Sequence, residues 1–137
     1  MDKERLVECF TTFMDTVLTT PALAFADMTD PQIVWENYVP DHIPFGGRYE
    51  GMQELVRYLT ELSMSITMGP LEYLEFYAET DTNTVVVVGR ENNSVSKITG
   101  RTYNMPFVWV ARFNEDGRLT YCREHNDTCE MSAAFDK

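Results

Sequence analysis

Cysteine is scarce in this 137-residue chain, and the three present, Cys9, Cys122 and Cys129, form no CxxC pair. An odd, unclustered set argues against a disulfide framework and against a cysteine zinc site. Histidine is scarcer still, with only His42 and His125, and neither belongs to a Glu-x-x-His helical ligand pair. No metal and no cofactor are therefore expected. Basic residues are few: 11 Lys+Arg against 22 Asp+Glu leave a net charge of −11. Such a surface repels phosphate backbones, so no nucleic-acid partner is expected. Long apolar runs are missing too. The opening MDKERL lacks the core of a signal peptide, and no stretch reaches the roughly twenty apolar residues of a membrane span. The expectation is a cytoplasmic protein without membrane contact.

What is present is a globular balance, 44% hydrophobic and 24% charged, in a length that suits one domain over residues 1–137. Leu6, Cys9, Phe10, Phe13, Met14, Val17 and Leu18 recur at helical spacing and predict a first helix over Lys3 to Leu18. Pro21 suits the first turn of a short second helix, Ala22 to Phe25, and Asp30-Pro31 reads as a break. A strand is expected over Gln32 to Tyr38. The proline- and glycine-rich VPDHIPFGGRYEG that follows reads as a loop. After Gly51 a helix should bury Met52, Leu55, Val56, Leu59, Leu62 and Ser63.

Beyond Gly69-Pro70 the period changes to 2, and strands are expected near Leu71–Glu79, Thr84–Glu91, Lys97–Phe113 and Arg118–Asp127. Asp81-Thr82-Asn83, Asn92-Asn93 and Asn114 to Gly117 would turn the chain between them, and Pro106 suggests a sheet edge or a bulge. Helices followed by a run of strands predict an α+β fold, with N-terminal helices packed on a strongly curved, mostly antiparallel sheet that leaves a cone-shaped hollow. Tyr103, Phe107 and Trp109 alternate with Val108 and Val110, so both faces of the sheet are apolar. A second copy of the chain is the simplest cover for the outer one, which predicts a homodimer through the sheet.

Alternation also sorts the polar residues. Ile33, Trp35 and Asn37 share one face, as do Cys122, Glu124 and Asn126, and as do Val88, Arg90 and Asn92; the letters do not say which faces turn inward. The order of two helices, a W-E-N strand, the P-x-x-x-P-F-G-G-R-Y-E-G loop, a helix and four strands resembles the nuclear transport factor 2-like superfamily. The likeness spans nearly the whole chain, and GRTYNMPFVWVARFNEDGRLTYCREHNDT carries most of it. Pocket-bearing members include ketosteroid isomerases, SnoaL-type polyketide cyclases and limonene-epoxide hydrolases.

The isomerase residues do not carry over: Asn37 stands for the general-base Asp, Trp109 for the oxyanion-binding Asp, and the first helix has no Tyr. The hydrolase pattern implies more. Glu124 takes the place of the water-activating carboxylate, with Asn37 orienting the water and Arg90 bridging the acidic groups so that Glu124 stays ionised. Asn92 replaces the proton-donating Asp, and Trp35 replaces a water-holding Tyr.

The resemblance thus implies a small-molecule pocket protein of the SnoaL-like type. It would act as a general acid–base hydrolase, isomerase or cyclase on a small apolar substrate, or as a non-catalytic ligand-binding or carrier domain. The expected catalytic set is Glu124, Arg90 and Asn37; the expected ligand contacts are Trp35, Asn92, Trp109, Phe107, Tyr58 and Asn126. A plain structural role competes for each: an Arg90–Glu124 ion pair, an Asn37 strand cap, aromatics that fill a core. His125 with Asp127 is a further base–carboxylate pairing, and His42 sits in the loop at the expected cavity mouth. A hollow filled by the chain's own aromatics would leave less than about 300 Å³.

Overall fold

The computed structural model describes every residue from Met1 to Lys137. Asp2 caps the first helix by accepting the Arg5 backbone N–H at 2.8 Å, and α1 runs Lys3–Thr19 with Leu6, Cys9, Phe10, Phe13, Met14 and Val17 buried. Burying each large apolar side chain of such a stripe is worth about 1.5–3 kcal/mol, which fixes the helix against the sheet. Pro21 opens α2, Pro21–Met28, at its first turn. No helix is long and apolar enough to cross a membrane.

Seven strands follow: β1 Thr29–Tyr38, β2 Gly47–Glu50, β3 Ile66–Thr67, β4 Leu71–Glu79, β5 Thr84–Ser96, β6 Thr102–Phe113 and β7 Leu119–Asn126. Helix α3, Gly51–Ser65, stands between β2 and β3, and α4, Cys129–Phe135, closes the chain. The sheet order is β2-β1-β7-β6-β5-β3, with β4 also paired to β5. Every pairing is antiparallel except β1 with β7. The helices pack on the inner face of this curled, mostly antiparallel sheet, as an α+β cone.

Several boundaries differ from the sequence reading, each for a local reason. Asp30-Pro31 does not break the chain but lies inside β1. The β1–β7 ladder is irregular between Thr29 and Val34, and β2 begins pairing only at Val34, so the missing Pro31 N–H interrupts no ladder bond. The end of the expected loop is strand β2, a hairpin partner of β1. In α3 the buried residues are Leu55, Tyr58 and Ser65, whereas Val56 and Ser63 face outward. Asn92-Asn93 is a bulge within β5, not a turn. Asn93 adopts φ 55°, its N–H is accepted by Asn104 Oδ1 at 2.9 Å, and the β5–β6 register shifts there.

The true reversal lies at Lys97–Arg101, where Ser96 Oγ accepts the Ile98 and Thr99 N–H groups and Gly100 takes φ 79°. β6 therefore starts at Thr102 rather than Lys97. Pro106 is neither at an edge nor bulged: β6 is flanked by β5 and β7. The Pro106 carbonyl accepts the Asp127 N–H just past the end of β7. In an antiparallel strand the N–H of a residue points to the same side as its carbonyl, so the absent donor falls where that ladder is ending. On the outer face Val108 is 39% exposed, and Val86, Val88 and Val110 are half-buried.

Candidate active site

Inward alternation brings Ile33, Trp35 and Asn37 of β1, Cys122 and Glu124 of β7, and Phe107 and Trp109 of β6 onto one concave surface. The ladders align them: Asn37 is level with Glu124, Trp109 with Glu124, and Phe107 with Asn126. Helices α1 and α3 close over the surface with Met14, Val17, Tyr58, Leu59 and Leu62, and α4 adds Met131. The hollow between them is mostly apolar, and its polar wall consists of Asn37, Tyr58, Glu91 and Glu124 together with the two indole groups. Its free volume is about 70 Å³, below the roughly 300 Å³ of a site for a drug-sized ligand. Four methionines line it, Met14, Met68, Met105 and Met131, and their unbranched side chains can repack around an occupant.

Glu124 is the focus of the hydrogen bonding. Its Oε2 accepts Trp35 Nε1–H at 2.7 Å and the Tyr58 hydroxyl at 2.7 Å, while no protein donor reaches Oε1. Behind Tyr58 stands a relay of amides. Asn37 Nδ2 donates to Tyr58 Oη at 3.0 Å, Asn126 Nδ2 donates to Asn37 Oδ1 at 2.8 Å, and Trp109 Nε1 donates to Asn126 Oδ1 at 3.3 Å. Every bond in the relay points toward the carboxylate, so each polarises the next. Burial pushes the Glu124 carboxyl above its ordinary value, and the Tyr58 and Trp35 bonds offset part of that rise. The Tyr58 hydroxyl is held far above its usual range by burial and by the neighbouring Glu124 charge.

A second acid shares the hollow. Glu91 is 3% exposed, and its Oε2 has no hydrogen-bond partner. Burial, and then the charge of Glu124, raise its carboxyl to about 7; the Ser94 and Tyr103 hydroxyls nearby pull the other way. The buried Tyr103 hydroxyl also lacks a partner. Glu91 follows the inward phase of Val85, Val87 and Gly89, and sequence reasoning passed over it. An acidic residue in step with an apolar alternation was the available signal.

Of the expected site residues, Glu124, Asn37, Trp35, Trp109 and Tyr58 line the hollow, and Asn126 joins it through the relay. Arg90 does not reach Glu124. It takes the outward phase of β5 and pairs with Glu72 across the exposed outer face at 2.8 Å. The ion pair expected to hold Glu124 ionised is therefore replaced by two neutral donors. Asn92 belongs to the bulge, where its backbone N–H bonds Pro70, and it lines no part of the hollow. Phe107 is core: its ring stacks on Trp109 at 3.8 Å and lies so close over Gly89 that a Cβ there would sit 2.7 Å from it. His125 stacks on Tyr38 on the outer side, and His42 tethers the C-terminal segment through Ser132 and Asp136.

No family model and no curated protein matches the chain. Solved structures do. An NTF2-like protein from Burkholderia xenovorans LB400 superposes with a TM-score of 0.85 at 22% identity, over 99% of each chain. The chain has the NTF2-like fold. An NTF2-like protein of unknown function from Burkholderia pseudomallei K96243 gives a TM-score of 0.81 at 22% identity over 100% of both chains. TerC co-crystallised with polyporic acid gives 0.76 at 18% identity, covering 97% of this chain and 99% of that one. At these identities the likeness establishes architecture, because one such scaffold hosts unrelated chemistries.

Proposed function

We propose that this NTF2-like protein is a small-molecule enzyme of the SnoaL-like type in which Glu124 acts as a general base. The observation that carries this reading is the split environment of its carboxylate: Oε2 held by Trp35 and Tyr58, Oε1 without a protein donor, at the wall of an apolar hollow. Two fixed donors aim the group, and burial raises its proton affinity, as a base for a weakly acidic substrate requires. Asn37 and Asn126 orient Tyr58 rather than touching the substrate's proton. Hydrolysis, isomerisation and cyclisation of a compact apolar molecule all share the proton transfer such a site can perform. The TerC complex is consistent with a small molecule as the occupant of this fold.

The free volume of about 70 Å³ favours a second reading, a non-catalytic binder or a packed, vestigial hollow. Weighing against a vestigial hollow, two buried carboxyl groups with unengaged oxygens cost stability that an apolar packing residue would spare. The deciding experiment replaces Glu124 with Gln and screens small ketones, esters and epoxides for turnover. Turnover should fall by about 10²–10⁴ with ligand binding retained. Turnover equal to that of the parent protein removes Glu124 from the chemistry.

The same proposal includes a homodimer through Val86, Val88, Val108 and Val110, the apolar outer strip that the monomer leaves part-exposed. It also includes a cytoplasmic setting, supported by three free cysteines of which Cys129 is exposed.

A further inference from the structure

The hollow's hydrogen-bond ledger is one-sided. The single-hydrogen donors among its lining residues are committed, Trp35 and Tyr58 to Glu124 and Trp109 to Asn126. The Tyr103 hydroxyl, outside the lining but facing Glu91, is left free. Asn37 is engaged through both its amide nitrogen and its oxygen. What remains open is acceptor capacity, at Glu91 Oε2 and Glu124 Oε1. The charge ledger leans the same way, for the wall carries two acids and no Lys, Arg or His. None of the protein's ion pairs involves either acid. Buried carboxylates normally sit beside a cation or a set of donors, and here the protein supplies no cation and sets only the Ser94 and Tyr103 hydroxyls near Glu91.

We infer that the hollow is built for a small aliphatic amine in its ammonium form, anchored on Glu91 beside Glu124. This rests on the reading of the hollow as a ligand site and names its substrate class. An ammonium group brings what the wall lacks, one positive charge and three donors for its open carboxylate oxygens, and it has no lone pair that would need a donor in return. The aromatic rings of Trp35, Tyr58 and Trp109 in the wall suit a cation, and the methionine and leucine wall takes the alkyl body. With the amine held by Glu91, Oε1 of Glu124 stays free to take a proton from the substrate. A carboxylate of the same shape would meet two acids and no cation.

Binding should also depend on pH. The groups facing Glu91 are Glu124 of β7, Tyr103 of β6 and Ser94 of β5; of these only Glu124 is a carboxylic acid. An alkylammonium keeps its proton to well above pH 9, as lysine does. The titrating partner is then Glu91, which must shed its proton, near pH 7, to receive the cation.

The test uses the two tryptophans of the chain, both in the cavity wall, as site-specific reporters. Their indole N–H signals are followed by nitrogen–proton NMR while isobutylamine, isobutanol or isobutyrate is titrated into the full chain. The amine should bind at least tenfold more tightly than the alcohol, with an affinity that rises about tenfold from pH 6 to pH 8, following the ionisation of a group near 7. Isobutyrate should leave both signals unmoved. Glu91→Gln should weaken the amine at least tenfold and leave the alcohol unchanged. An alcohol that binds as well as the amine, or an amine affinity flat with pH, overturns the inference and leaves the base assignment of Glu124 standing. Failure of all three compounds to move either indole signal overturns both.

Discussion

Replacing Glu91 by Gln should stabilise the protein, and only on the alkaline side of its titration. An ordinary glutamate carboxyl titrates near 4.5; in the fold Glu91 does so at about 7, mainly because it is buried. Below pH 4.5 the group is neutral in both the folded and the unfolded chain, and it contributes no pH-dependent difference. Between 4.5 and 7 the folded chain keeps a proton that the unfolded chain has released, so stability falls as pH rises. Above 7 both forms are charged and the loss is complete. At about 1.4 kcal/mol per pH unit the loss amounts to about 3 kcal/mol. Glutamine has no proton to lose. The variant and the parent should therefore unfold alike at pH 4, and the variant should lead by about 3 kcal/mol at pH 8.5, or about 10 °C in Tm for a chain of this length. Urea unfolding at half-unit intervals of pH measures the gap directly. A gap that stays constant from pH 4 to pH 8.5, or that favours the parent, would show that Glu91 titrates as a solvated acid and refute the argument.

Tyr58→Phe removes one of two donors from Glu124 Oε2 and strands the Asn37 amide; stability should drop by about 1–3 kcal/mol. The Glu124 carboxyl should titrate higher still in that variant, read by carbon NMR of labelled glutamate, because the lost bond favours its ionised form. A carboxyl that titrates lower would contradict the relay. Sedimentation at micromolar concentration should give twice 15.8 kDa, and Val108→Glu should return it to the single-chain mass; a parent protein that sediments as one chain disposes of the dimer.

Much of the architecture was legible because local rules agreed with the tertiary ones. The bounds of α1 and β4 match the expected ones to within a residue. The inward set of Trp35, Asn37 and Glu124 follows from alternation once one inward residue is known on each of β1 and β7. The failures share one cause, in that the deciding partner lies elsewhere in the chain. Asn92-Asn93 has turn chemistry, but strand pairing on both sides of it absorbs the pair as a bulge. β2 reads as loop because its pattern is short, and only the β1 edge makes it a strand. α4 is seven residues with little periodicity, and it is held by Phe135 against Phe45 and Tyr103. Arg90 and Glu91 are neighbours with opposite fates. One step of strand phase separates an exposed ion pair from a buried acid, and a charge-based reading chose the more conspicuous of the two.

The parallel contact between β1 and β7 governs how the molecule comes into being. Trp35 and Glu124, which meet across it, are 89 positions apart, so the Glu124 carboxylate cannot gain its Trp35 donor until β7 has been made. A nascent chain can form its first helices and the β4–β5–β6 meander early, yet its acids remain solvated and ordinary until the final strand slots in beside β1. Deleting β7 would thus remove Glu124 and the Asn126 link of the relay, while the preceding meander could still form.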